Sequence, residues 1–119
     1  MATDKPEQTG DDKPILIYTT LPSLAAAEAL AGPLVERGLV ACANIIPHMI
    51  AIYAWQGQRH RDAEAVMILK TRAGLCGAVM AAVRTAHPYD NPAIMALEPT
   101  GGSADYFAWI ADQTTAAKL

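Results

Sequence analysis

The chain has 119 residues, 52% of them apolar, and a formal net charge of −3. That is enough for one domain with one core, and too apolar a composition for a disordered chain. Its nine basic residues are scattered, which argues against nucleic acid as a partner, because phosphate binding needs a massed positive face.

Residues 1–13 (MATDKPEQTGDDK) are polar, hold Pro and Gly, and lack periodicity. They read as a disordered tail ahead of one folded unit over 14–119. Pro14 to Thr20 is a run of β-formers and predicts a first strand. Ser23 offers an N-cap, and Leu24, Ala27, Ala31, Leu34 and Val35 follow helical spacing to a C-capping Gly38. Pro33 inside that run is expected to kink the helix or end it early. Val40 to Trp55 predicts a long strand broken at Pro47, and a proline there implies an edge, a bulge or a bend. Gln56 to Arg61 reads as a polar turn and Asp62 to Arg72 as the returning strand. Leu75, Val79, Ala82, Val83 and Ala86 predict a second helix ending near His87-Pro88. Pro92 to Leu97 predicts a last strand. Ser103 caps a final helix that buries Tyr106, Trp109 and Ile110.

This order is β-α-β-β-α-β plus a terminal helix: an α+β, ferredoxin-like antiparallel sheet with its helices on one face. The strands carry apolar residues on both faces, as in Ile15-Leu16-Ile17, Val66-Met67-Ile68-Leu69 and Ile94-Met95-Ala96-Leu97. Such strands are covered on both sides. The helices cover one side only, so another copy of the chain is expected on the other, since a bare sheet face would be a large apolar patch. No apolar run is long enough for a bilayer, and the polar start lacks the layout of a secretory signal. Cys42 and Cys76 form no disulfide pattern, so free thiols in the cytoplasm are expected.

Several segments resemble one family in order along the chain. Leu34 to Ile46 reads LVERGLVACANII, with Tyr53-Ala-Trp55-Gln-Gly57 after it. Glu64 precedes Leu69-Lys70-Thr71-Arg72. His87-Pro88-Tyr89-Asp90 with Pro92 is the most distinctive run, and Tyr106-Phe-Ala-Trp109-Ile110 closes the series. Over residues 14–112 the chain resembles the CutA divalent-cation-tolerance family. Two positions depart: Ala86 stands before His87 where some members have a second histidine, and Asp90 stands where Glu is commoner. The resemblance implies a homotrimer of interlocking hairpins, tolerance of divalent metals such as copper, and an architecture similar to PII-type regulators, which bind small ligands between subunits.

Two sets of residues carry candidate chemistry. Cys42 and His87 pair a thiolate with an imidazole, donors suited to Cu(II) or Zn(II). Against this, a strand cysteine is often a small buried hydrophobe, and His87 can instead cap the end of its helix. There is no Cys-x-x-Cys or His-x-x-x-His spacing, so a metal site would have to be assembled across loops or subunits. His48 and His60 read as a bend and a hairpin-tip residue. Tyr53, Trp55, Lys70, Arg72, Tyr89 and Asp90 form the second set, aromatic walls with a few charges. They suit a ligand cleft or a subunit interface. An enzyme is not indicated: Asn44 and Arg37 suggest an acylphosphatase-like pair, but no Gly-rich phosphate loop accompanies them, and no nucleophile-base spacing is present.

Overall fold

The computed structural model describes residues 10–115. Most of the amino-terminal tail thus lies outside the described residues; its last part, Gly10–Asp12, forms a single 3-10 turn. Four strands, β1 (Pro14–Leu21), β2 (Cys42–Trp55), β3 (Gln58–Arg72) and β4 (Ile94–Leu97), and three helices, α1 (Leu24–Glu36), α2 (Cys76–Ala86) and α3 (Ala104–Gln113), follow the predicted order. The strands make one antiparallel sheet in the order β2-β3-β1-β4.

α1 starts where Ser23 accepts a hydrogen bond from the Ala26 N–H at 3.1 Å. It runs past Pro33 to Glu36 rather than stopping early, because a proline in the last turn forfeits only one intrahelical bond. Its end is a Schellman motif. Gly38 takes φ 71°, its N–H reaches the Val35 carbonyl, and the Leu39 N–H reaches the Leu34 carbonyl. The left-handed Gly supplies the reversal, and Leu34 and Leu39 bury together beneath it.

Alternation sorts the sheet into two faces. Ile15, Ile17, Thr19 and Leu21 of β1 lie opposite Thr71, Leu69, Met67 and Ala65 of β3. This face packs under α1 and α2, with Leu30, Leu34, Val79 and Val83 completing the core. The other face carries Leu16 and Tyr18, opposite Lys70 and Ile68 on one side and Leu97 and Met95 on the other. Here the expectation of helices on one face only needs correcting. α3 lies on this second face, where Lys70 donates to the Tyr106 hydroxyl at 2.9 Å and Arg72 donates to the Thr114 carbonyl at 2.7 Å. α3 covers only that end. Ile46, Met95 and Leu97 remain 53%, 50% and 46% exposed.

The β2–β3 hairpin is much longer than the rest of the sheet. Pro47 sits on an edge strand at a bulge, where the register slips between Ile46↔Val66 and Met49↔Glu64. Proline is tolerated there because no ladder bond is lost, and His48 closes the bulge at φ 63°. The turn is tighter than predicted. Only Gln56 and Gly57 connect the strands, both at positive φ, in the manner of a type I′ turn, and residues 58–61 belong to β3.

Candidate functional site

Past the bulge, the hairpin continues as a two-stranded ribbon of seven residue pairs, Met49↔Glu64 to Trp55↔Gln58, about 24 Å long at the usual strand rise. The extra residue at the bulge reverses which β2 positions face which way. Tyr53 and Trp55 therefore stand on the same side of the ribbon as His60, Asp62 and Glu64. The loop after α2 meets this side from the end of β1.

That loop is pinned by His87. Its Nε2 donates to the Thr20 carbonyl at 2.8 Å and lies 3.2 Å from the Thr19 hydroxyl. Its Nδ1 accepts the Tyr89 N–H at 3.2 Å. The pair of bonds requires the neutral Nε2–H tautomer. His87 is only 9% exposed, so its imidazole has both nitrogens committed within the protein and is not available to a metal. Cys42 lies opposite Lys70, near the other end of β3. It accepts a weak hydrogen bond from the Asn44 amide at 3.6 Å. The predicted Cys42–His87 pairing is therefore not formed within one chain. Among the described residues no group of three or more His, Cys, Asp or Glu is placed to hold a metal ion.

The aromatic set fares differently. Tyr53, Trp55, Tyr89 and Asp90 line one cavity of about 530 Å³, together with Thr20, Asp62, Glu64, Pro88, Asn91 and Ala93. The Tyr89 hydroxyl donates to Glu64 at 2.6 Å, and the Tyr53 hydroxyl donates to Asp62. Burial first, then the hydrogen bond to Glu64, holds the Tyr89 phenol well above its ordinary value. The bond to Asp62 is the main cause of the rise at Tyr53. Both tyrosines are thus fixed as donors and both carboxylates as acceptors. The His60 ring stacks behind Tyr53 at 5.3 Å.

Lys70 and Arg72 are not part of this cavity. They are turned to α3 and, for Arg72, also to the Asp11 carbonyl at 3.5 Å. Asp62 takes their place as the charged neighbour. It was legible only through pairing: with a six-residue turn Trp55 falls opposite Asp62, whereas the two-residue turn puts Gln58 there and moves Asp62 inward, opposite Ala51.

Residues 15–113 match the family model described as CutA1 divalent ion tolerance protein. A chloroplastic CutA 1 protein of Oryza sativa is 37% identical over 95% of this chain, which spans 64% of that relative's length. The crystal structure of a divalent ion tolerance protein CutA1 from Ehrlichia chaffeensis superposes with a TM-score of 0.83 at 34% identity, covering 87% of this chain and 96% of that one. A periplasmic divalent cation tolerance protein CutA from Archaeoglobus fulgidus gives 0.82 at 34% identity, over 86% and 99%. No helix among the described residues is long and apolar enough to cross a membrane.

Proposed function

This chain belongs to the CutA1 divalent ion tolerance family, and from that premise we propose that it serves divalent-cation tolerance as a non-catalytic homotrimer in the cytoplasm. The observation that carries the assembly is the ribbon. Two strands alone are marginal in water, yet here both sides carry exposed apolar side chains. Ile50 and Ile52 are 45% and 62% exposed on one side, Tyr53 and Trp55 41% and 45% on the other. One copy's ribbon against the next copy's open sheet face is a head-to-tail contact, which generates a ring when its rotation closes; the family resemblance favours closure at three copies.

A divalent ion, copper or zinc, is then held by donors from more than one copy, Cys42 among them. The free thiols Cys42 and Cys76 suit a reducing compartment. Multi-angle light scattering of the whole chain is expected to return three times the chain mass. Calorimetric titration with CuCl2 is expected to show saturable binding that Cys42→Ser weakens at least tenfold. A stable monomer, or binding unchanged in Cys42→Ser, would remove the assembly or the donor respectively.

A second reading is supported by the cavity between the ribbon and the loop carrying Tyr89: a sensor of small molecules, similar to PII-type regulators, in which ligand binding rather than metal is the signal. Its measure is a saturable change in Trp55 emission in a Trp109→Phe background.

A further inference from the structure

The cavity between the ribbon and the His87-Pro88-Tyr89 loop has a sign. Asp62, Glu64 and Asp90 give it three carboxylates, and no Lys, Arg or His lines it. Arg59 and Arg61 pair with Ala54 and Ile52 on the opposite side of the ribbon, and Lys70 and Arg72 are used elsewhere, on Tyr106 and Thr114. An anionic ligand would meet like charges and no cationic donor, which disfavours the nucleotides and organic acids that a PII-like comparison suggests.

The walls narrow the choice further. Tyr53, Trp55 and Tyr89 present ring surface to the same space. Two of the carboxylates are aimed by phenol donors, Glu64 by Tyr89 and Asp62 by Tyr53. A carboxylate offers about four lone-pair sites and a phenol uses one, so each keeps acceptor capacity for a ligand. A bare metal ion gains little from ring faces, and no three-donor arrangement is present among the described residues. An ammonium group on a carbon skeleton uses both features: its N–H groups donate to carboxylates, and its charge and apolar surface lie against the rings.

We propose that this cleft binds an organic ammonium ion, its nitrogen directed at Glu64 and Asp90 and its carbon skeleton against Tyr53, Trp55 and Tyr89. The proposal rests on the small-molecule reading of the cleft and specifies the ligand class; it is separate from any divalent ion held through Cys42.

The test is calorimetric titration of the full-length protein with three probes of one shape at constant ionic strength: benzylammonium chloride, benzyl alcohol and sodium benzoate. Benzylammonium is expected to bind at least tenfold more tightly than benzyl alcohol, and benzoate not at all. Asp90→Asn and Glu64→Gln are each expected to weaken benzylammonium at least fivefold. Asp90 is exposed, so its variant reads ligand binding where Glu64→Gln also loosens the loop. Equal affinity for the alcohol would make the cleft a plain apolar slot. Tighter benzoate binding would mean a neighbouring copy supplies cations, and displacement of benzylammonium by equimolar CuCl2 would make it a metal site; each overturns the proposal. All ten lining residues come from one chain, so no residue of a second copy is needed to form the cleft. Light scattering on the same samples separates a failed trimer from a failed ligand class.

Discussion

At the scale of the residue, the two tyrosine–carboxylate pairs are the main chemical feature of the cleft. Tyr89 is held above its ordinary value by burial and by Glu64, so the folded state keeps its proton where the unfolded state loses it. The sign follows from linkage. This contribution to stability is complete below the unfolded phenol range near pH 10 and is lost as pH rises through the folded value. Denaturation followed from pH 8 to 12 should therefore fall more steeply above pH 10 in the natural protein than in Tyr89→Phe. At pH 8 the variant is expected to lose about 1 kcal/mol, the scale of one hydrogen bond to a charged acceptor that is partly open to water. Parallel curves would mean that burial and the Glu64 bond do not hold the phenol in solution. The sequence singled out Tyr89 and His87 as a motif. It did not show that His87 spends both nitrogens fixing the loop, because Thr19 and Thr20 lie 68 and 67 positions away along the chain.

At the scale of the element, the hairpin decides which residues meet. Pro47 announced an irregularity, and the structure resolves it as an edge-strand bulge closed by His48 at φ 63°. A β-branched residue is poorly accommodated there, whereas glycine is free to adopt it. His48→Val is expected to cost about 1–2 kcal/mol in urea unfolding, and His48→Gly much less. Equal losses would indicate that the side chain, not the backbone, matters at the bulge. The strands, their order and the helix caps at Ser23, Gly38 and Ser103 were legible because local propensity and pattern agree there. The turn was not, since QGQRHR is polar throughout and composition cannot distinguish a loop from the tip of a solvated ribbon. The reach of α1 past Pro33 was likewise a matter of position within the last turn.

At the scale of the whole molecule, the surface left over is the informative part. The chain extends 56 × 30 × 21 Å, elongated by a ribbon whose two sides both carry exposed apolar side chains. Ile52 is 62% exposed in the single chain, so Ile52→Lys removes little packing within it. If a second copy covers this position, the substitution forfeits about 2–3 kcal/mol per contact, which weakens each contact roughly 30- to 150-fold and raises the dissociation midpoint by at least that factor. Sedimentation velocity over a dilution series measures this, and an unchanged midpoint would mean that the ribbon's Ile52 side stays in water.

The sequence by itself determined the element order, the strands with two apolar faces and the family, because these depend on neighbours within a few positions and on motifs read in series. Only the tertiary structure decided that Cys42 and His87 lie apart, that Lys70 and Arg72 serve α3, and that Asp62 and Glu64 join Tyr53 and Tyr89. Those outcomes turn on register, and register here is set by one bulge and one two-residue turn. A shift of pairing at either changes which residues, distant along the chain, come to share a face.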